Sequence, residues 1–138
     1  MHQTPFETLD APPVATLLGW RLINVDSANM SIEIEFEATR AFLNPSGHIQ
    51  GGILCAMLDD TLGPALFAAT DFKKQGRTID LHTHFIRPAL PGKIRGNGRV
   101  TRLGKSVGFM EGQLFNPEGK LIARATGSAM LFEFAPQK

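Results

Sequence analysis

The sequence predicts an α+β fold in which one curved antiparallel β-sheet wraps around a single long central helix. Three observations lead to this fold. Residues 53–69 are apolar or small on nearly every side, which indicates a helix buried around most of its circumference. Two candidate strands precede this helix and four follow it, with alternation and turn signals that are typical of antiparallel strands. A sheet that curves around the helix would bury it on most sides.

Length and composition limit the class of protein. The 138 residues are enough for one domain, residues 1–138, with its own core. The formal net charge of +1 gives no electrostatic basis for binding nucleic acid or an anionic membrane. The single cysteine excludes an intrachain disulfide, no apolar run is both long and uncharged enough to span a membrane, and the N-terminus lacks signal-peptide features. We therefore expect a cytoplasmic protein.

The elements before the central helix follow from local patterns. Residues 14–18 predict a short helical turn that Gly19 ends, and residues 20–25 predict a first strand. Residues 31–37 alternate cleanly, with Ile32, Ile34 and Phe36 on one face and three acids on the other. This alternation predicts a half-buried strand whose acidic face is solvated.

The second half of the chain reads as one interrupted helix and four strands. Pro64 predicts an interruption, because an interior proline removes a helical hydrogen bond. Residues 71–76 predict a charged loop. Residues 78–87, 92–102, 106–115 and 121–134 predict strands, and the glycines of the last three predict bulges or a close helix approach. In the first of these strands, alternation separates two faces: Ile79, Leu81 and Phe85 on one, and Thr78, Asp80, His82 and His84 on the other.

The start and the middle of the central helix predict a functional site. Gly51 and Gly52 leave bare amides at the positive end of the helix dipole, where an anion or a developing oxyanion can bind. Asp59 lies in the apolar helix, so it needs either a structural ion pair or a role in a site. Gly51 and Asp59 are eight residues apart, about 12 Å along a helix. If both act on one bond, Asp59 must come from a second copy, packed antiparallel about a two-fold axis.

Other polar residues in this region have simpler interpretations. Asp60 is predicted to cap or pair at the helix edge, and Cys55 to be a small buried residue. His82 and His84 are predicted to be surface or interface residues. Two histidines at a spacing of two have no third ligand at a suitable distance in the sequence, so no metal site is predicted.

A resemblance to a known family rests on this same region. Asn44, Gly47, Gly51, Gly52 and Asp59 have the spacings of a signature that resembles hotdog-fold acyl-CoA thioesterases of the phenylacetate-degradation type, within the 4-hydroxybenzoyl-CoA thioesterase superfamily. The strand that ends in Arg87-Pro88-Ala89 is also similar. The resemblance covers residues 14–132 and implies the hotdog fold. The family's histidine falls on Gln50, which can form hydrogen bonds but cannot act as a general acid or base.

The resemblance implies hydrolysis of an aryl- or aliphatic acyl-CoA to an acid and free CoA. In this reading the Gly51 amide is the oxyanion donor, and Asp59 of the facing subunit is the nucleophile or the general base. Asn44 and Gln50 orient the water, the carbonyl group or the loop. Thr78 matches a position near the reacting water, and Gly52 lets the ligand approach.

The resemblance also implies partners and leaves alternatives open. No cofactor is expected, because CoA is part of the substrate, and no metal is expected. Arg87, Arg102 and Lys105 are candidates for contacts with the CoA phosphates. The chain is expected to form a dimer or a tetramer of paired dimers. A non-catalytic acyl-CoA sensor is the alternative function, and a hotdog dehydratase is a weaker one, since those usually need a catalytic histidine where Gln50 stands.

Overall fold

A computed structural model describes residues 3–135, and its architecture is the predicted hotdog fold. The helices are α1 Pro5–Thr8, α2 Pro13–Leu18 and α3 Gly51–Ala69, with a 3-10 turn at Arg40–Phe42. The strands are β1 Arg21–Asp26, β2 Ser31–Ala38, β3 Lys74–Phe85, β4 Gly92–Leu103, β5 Val107–Phe115 and β6 Leu121–Glu133. All six are joined antiparallel in one sheet, in the order β1-β2-β4-β5-β6-β3.

The core lies between α3 and the inner face of the sheet. Met57, Leu58 and Leu66 of α3 are fully buried, and they belong to the same apolar cluster as inward-facing residues of β2, β4, β5 and β6. The other side of α3 is open, because Gly52 and Asp59 are exposed. The expectation of a helix buried on nearly every side is therefore wrong for the single chain, since the sheet covers only one side.

Glycines in the sheet allow α3 to pack closely, as their number predicts. A Cβ atom at Gly96 would lie 2.6 Å from Thr61 Oγ1, and one at Gly108 would lie 2.5 Å from Leu66 Cδ1. Neither position has room for a methyl group without movement of a buried neighbour. The helix therefore rests on strand backbone at these points.

Pro64 does not interrupt α3, contrary to the prediction. The helix continues through it to Ala69. Pro64 has no N–H, so it cannot donate to the carbonyl of Asp60 four residues earlier. The indole Nε1 of Trp20 donates to that carbonyl instead, at 2.9 Å. A side chain from outside the helix thus satisfies the acceptor that the proline leaves free.

Strand β3 differs from the prediction in its start and in its faces. It begins at Lys74, so part of the expected loop is strand. A bulge between Thr78 and Asp80 shifts the register against β6. The bulge moves Thr78 to the same side as Leu81, facing α3, while His82 and His84 point away from the helix. Alternation alone predicts the opposite side for Thr78. β3 is also an edge strand of the sheet.

Helix α3 passes a length and composition test for a membrane span. Its mean hydropathy reaches 1.3, and it is the one such helix among residues 3–135. It also carries Asp59 and Asp60. Its packing against the sheet is that of a core helix, which can pass the same test.

Candidate active site

The loop before α3 is organised by Asn44. Its side-chain Oδ1 accepts hydrogen bonds from Ser46 N at 3.0 Å, Ser46 Oγ at 2.8 Å and His48 N at 3.1 Å. The backbone N–H of Asn44 donates to His48 O at 2.7 Å, which closes the loop. Asn44 therefore has the turn-forming role that a residue of this type often has. Its predicted contact with substrate remains a prediction.

The N-terminus of α3 presents open backbone. Gln50 is the N-cap, and its side chain makes no capping hydrogen bond. The carbonyl of Gln50 accepts from the amides of Ile53 and Leu54 at 3.0 and 3.2 Å. The amides of Gly51 and Gly52 precede these and have no partner within the helix. A Cβ atom at Gly52 would meet nothing within 4 Å, so an oxygen atom of a ligand can approach this end of the helix.

A cavity of about 340 Å³ lies in front of this helix end. It brings together three predicted site residues, Asn44, Gly51 and Arg87. The Nη1 atom of Arg87 donates to Leu121 O at 2.7 Å, which anchors the guanidinium group at the wall. His48 and Phe85 also line the cavity and were not predicted. The only sequence signal for His48 is its place two positions before Gln50.

Asp59 lies further along α3 and is exposed rather than buried. Its Oδ1 accepts a hydrogen bond from Thr78 Oγ1 at 2.7 Å. None of the ion pairs within residues 3–135 includes it. The structural ion pair that the sequence left open is therefore absent from the described part of the chain. Two predicted site residues are in direct contact.

Asp60 has the opposite surroundings. Its Oδ2 atom is shielded from solvent and has no hydrogen-bond partner among the described residues. Burial, and then the charge of Asp59, raise the pKa of Asp60 to about 6. The prediction that Asp60 caps or pairs at the helix edge is wrong, because the residues packed around this oxygen offer it no donor.

One side of α3 faces β3 and carries the candidate residues in sequence. A Cβ atom at Gly51 would lie 3.2 Å from the Phe85 ring, and Cys55 Sγ donates to Thr83 Oγ1 at 3.6 Å. Asp59 follows, at Thr78. Helix and strand therefore run antiparallel along this side. Cys55 is half-buried, not fully buried as expected.

The remaining candidates are distributed over the surface. Gln50 and Gly52 are exposed beside the helix N-terminus, and Gln50 does not line the cavity. Arg102 is exposed at the end of β4, and Lys105 is exposed in the turn that follows. Neither lines the cavity near Gly51, so one chain does not bring them to this site.

Comparisons with known proteins agree with this fold. A family model described as "Thioesterase superfamily" matches residues 46–123. A protein of Saccharolobus solfataricus that is named as an esterase is 30% identical over 118 residues, which are 86% of this chain and 82% of that protein. A phenylacetic acid degradation-related protein of Ralstonia eutropha JMP134, named as a thioesterase, is 40% identical in sequence. Its structure superposes with a TM-score of 0.83 over 88% of this chain and 91% of that one.

A more distant structure has the same fold. It is a Streptococcus mutans UA159 protein bound to acetyl-CoA, with 16% identity, a TM-score of 0.73, and coverage of 86% of this chain and 91% of that one. The family match includes the start of α3, Asp59, Thr78 and Arg87. The chain therefore belongs to the thioesterase superfamily and has the hotdog fold of its phenylacetate-degradation type.

Proposed function

We propose that this protein is an acyl-CoA thioesterase that acts as a two-fold dimer, with each site built from two chains. One observation carries the proposal. Asp59 is exposed on the β3 side of α3 and held by Thr78, and none of the ion pairs within residues 3–135 includes it. A solvent-facing carboxylate on a core helix of a thioesterase-superfamily chain is suited to act on a water molecule or on a thioester carbon.

The separation of Gly51 from Asp59 supports a shared site. Eight residues of helix between them correspond to about 12 Å, and a thioester carbonyl cannot reach both ends. The cavity at the helix N-terminus includes Gly51 but not Asp59. Two α3 helices packed antiparallel about a two-fold axis bring Gly51 of one chain beside Asp59 of the other. This pairing would create two equivalent sites.

The free edge of β3 supports the same dimer. β3 is 12 residues long and pairs with β6 on one side only. A long unpaired edge is a template for pairing with another chain. Ile79, Phe85 and Ile86 are between 48% and 56% exposed along this edge. Pairing two copies through β3 would join their sheets and cover these side chains. Assembly of two such dimers into a tetramer remains an expectation from the family resemblance.

The chemistry follows from these positions. The thioester carbonyl oxygen approaches the Gly51 amide, which stabilises the negative charge that develops on this oxygen. Asp59 of the other subunit either removes a proton from the attacking water or attacks the carbonyl carbon itself. If water attacks, the C–S bond then breaks and the CoA thiolate takes up the proton that Asp59 removed. If Asp59 attacks, an acyl–Asp59 anhydride forms as the C–S bond breaks, and water then hydrolyses this anhydride, which frees the acid, restores the carboxylate and supplies the proton of the CoA thiol. Thr78 holds the carboxylate, while Gln50 at the helix end can supply hydrogen bonds but no proton.

The CoA moiety would extend from the cavity at the helix N-terminus. Arg87 lines this cavity and carries a guanidinium group suited to phosphate. Arg102 and Lys105 would contact CoA only if the second subunit brings their hairpin near the cavity. The acetyl-CoA complex of the Streptococcus mutans protein supports CoA thioesters as ligands for this fold. We expect the reaction to need no cofactor and to occur in the cytoplasm.

The test is free-thiol release from a panel of aryl- and fatty-acyl-CoAs. Wild type is compared with Asp59→Asn and with Asp60→Asn, a matched control that makes the same change one residue away. We expect turnover in wild type, a loss of about a thousandfold or more in Asp59→Asn, and retained turnover in Asp60→Asn. All three proteins are first compared by sedimentation and thermal unfolding.

Three results would contradict the proposal. Equal loss in both variants would indicate that the helix, not Asp59, was damaged. An active wild-type monomer would exclude the two-chain site. Tight binding of the CoA esters to wild type and Asp59→Asn, without turnover of any ester, would instead favour an acyl-CoA sensor.

A further inference from the structure

Two histidines stand side by side on the outer face of the edge strand β3. The ring centroids of His82 and His84 are 4.8 Å apart, and both side chains are exposed. They point away from α3 and are therefore on the opposite side of the sheet from Asp59. Within residues 3–135 of one chain, no third histidine, cysteine or carboxylate joins them to form a metal-binding group.

The proposed dimer determines what lies across the edge from these histidines, and the inference rests on that dimer. If Gly51 of one helix meets Asp59 of the other, the two-fold axis passes α3 midway between them, at Cys55. The thiol of Cys55 contacts Thr83 of β3 at 3.6 Å. The axis therefore crosses the paired edges near Thr83. Antiparallel pairing about Thr83 sets His82 opposite His84 of the partner subunit, and His84 opposite His82 of the partner subunit.

Histidines of the two subunits still face each other if the two-fold axis is shifted slightly along β3. A shift of half a residue would set outward-facing His82 against inward-facing Thr83 of the partner subunit, which sheet pairing does not allow. A shift by one whole residue sets either His82 or His84 against its own copy, so one imidazole from each subunit still faces the other. Directly opposed side chains have Cβ atoms about 4.5–5.5 Å apart. Two imidazole rings at such positions can bind the same metal ion.

We propose that the junction of the two β3 strands forms a binding site for one divalent cation of the zinc class, ligated by imidazoles of His82 and His84 from both subunits. Imidazole nitrogen suits Zn²⁺, Ni²⁺ and Cu²⁺, and zinc takes such nitrogens at about 2.0–2.1 Å. The site lies on the face of the sheet away from the proposed active sites. Its metal would join the subunits rather than act on substrate.

The surrounding charges set the expected strength of binding. On β6, Thr126 lies opposite His82 and Arg124 lies opposite His84. None of the ion pairs within residues 3–135 includes Arg124, so its positive charge opposes a bound cation. On β3 itself, Asp80 precedes the histidines and is hydrogen-bonded to Ser128. Binding requires neutral imidazoles, so the cation competes with protons and affinity falls as pH is lowered.

The experiment is calorimetric titration of tag-free, metal-free protein with ZnCl₂ at pH 7.5, beside sedimentation of the same sample. We expect one zinc per two chains. His82→Gln and His84→Gln should each weaken binding at least tenfold. His48→Gln, the same change at a histidine outside β3, should bind zinc as wild type does. Arg124→Gln should bind more tightly, because it removes the opposing charge.

The outcomes separate this site from the proposed function. A stoichiometry of one zinc per chain, or binding that persists in both His82→Gln and His84→Gln, would overturn the shared site. A dimer that hydrolyses acyl-CoA and binds no zinc would overturn it and leave the thioesterase proposal intact. A monomer in sedimentation would overturn both. Thiol release by His82→Gln in zinc-free buffer should match that of wild type, since neither histidine lines the cavity near Gly51.

Discussion

Two neighbouring carboxyl groups on α3 have contrasting environments. Asp59 is exposed and accepts a hydrogen bond from Thr78, while an oxygen of Asp60 is buried with no partner. Burial and the charge of Asp59 raise the pKa of Asp60 to about 6, from its usual 3.8. Adjacent residues of the same type therefore differ because successive side chains on a helix point about 100° apart, toward different neighbours.

Asp60 should make stability depend on pH. Between about pH 4 and pH 6 the folded chain keeps a proton on Asp60 that the unfolded chain has lost, so stability falls as pH rises through this window. Asp60→Asn removes the penalty. We expect it to stabilise the protein by about 1–2 kcal/mol at pH 8, after allowing for solvent that still reaches the carboxyl group, and by almost nothing at pH 4.

Urea unfolding at both pH values and one protein concentration measures this difference. Asp10→Asn is the matched control, since its carboxyl group is exposed and lies outside α3. If Asp60→Asn destabilised the protein at pH 8, the buried oxygen would have a donor in the assembled protein, and the assignment of an unpartnered carboxylate would be wrong.

Thr78 is the second residue whose effect can be isolated. Its hydroxyl donates to Asp59 at 2.7 Å, and a hydrogen bond to a charged group is worth about 1.5–3 kcal/mol. Thr78→Val keeps the shape and removes the donor. We expect kcat to fall by roughly ten- to a hundredfold with KM little changed, and Thr78→Ser to restore most of kcat. Steady-state kinetics on the best acyl-CoA measure both. A rise in KM alone would assign Thr78 to substrate binding instead.

At the scale of elements, α3 packs closely against the sheet because several strand positions beneath it are glycines. Thr61 packs over Gly96 and Gly98, and Leu66 packs over Gly108 and Gly76. These strand positions carry no side chain, so the helix approaches the backbone closely. The sequence predicted this close approach from glycine content alone, because only glycine combines strand conformation with such contact.

The same substitution should have a much larger effect in the sheet than in the helix. A Cβ atom at Gly96 would lie 2.6 Å from Thr61 Oγ1 and 3.2 Å from the Phe36 ring, and both neighbours are fully buried. We expect Gly96→Ala to destabilise by about 1–3 kcal/mol. Gly63 lies in α3 with nothing apart from its chain neighbours within 4 Å of an added Cβ. We expect Gly63→Ala to change stability by less than about 1 kcal/mol, because the gain in helix propensity is opposed by contact of the new Cβ with the ring of Pro64.

Thermal and urea unfolding of the two variants measure this contrast. Destabilisation by Gly63→Ala of a size similar to that of Gly96→Ala would mean that the open side of α3 is closely covered in the assembled protein. If Gly96→Ala left the free energy of unfolding unchanged, Thr61 would move away at little cost. The close approach of α3 to β4 would then not contribute to the specificity of packing.

Two predictions about single elements were wrong because they depend on contacts with residues far away in the sequence. The bulge at Ile79 shifts the pairing of β3 with β6, a strand distant in sequence, and it moves Thr78 to the side of the helix. The continuity of α3 through Pro64 depends on Trp20, which is 40 residues away from the carbonyl it satisfies. Alternation and proline rules describe a segment in isolation, whereas both outcomes were determined by a distant partner.

For the whole molecule, the order of strands and helix was predictable because each has a local period. The Gly51–Asp59 spacing also predicted that two chains complete the site, and this stays a prediction. The sequence did not reveal which side of α3 stays open. A helix that is apolar on every side does not indicate which side packs against the sheet. The structure leaves open the side with Gly52 and Asp59, and it leaves β3 unpaired on the same side. A second copy would cover both.

The single cysteine offers a direct test of that arrangement. If Gly51 meets Asp59 across the two-fold axis, the two Cys55 residues face each other near the axis, on helices about 8–10 Å apart. Each Cα atom lies about 2.3 Å from its helix axis, so the facing Cα atoms are closer together than the axes, and a short bis-maleimide can bridge the two thiols. We expect the reagent to convert most of the dimer to a covalent dimer on denaturing gels.

A Cys55→Ser, Ser106→Cys variant is the matched control, because Ser106 is exposed in the β4–β5 turn and should give little covalent dimer. A sedimenting dimer in which Cys55 reacts with a single maleimide but is never bridged would show that the helices pair in another register, and the shared site at Gly51 and Asp59 would have to be abandoned.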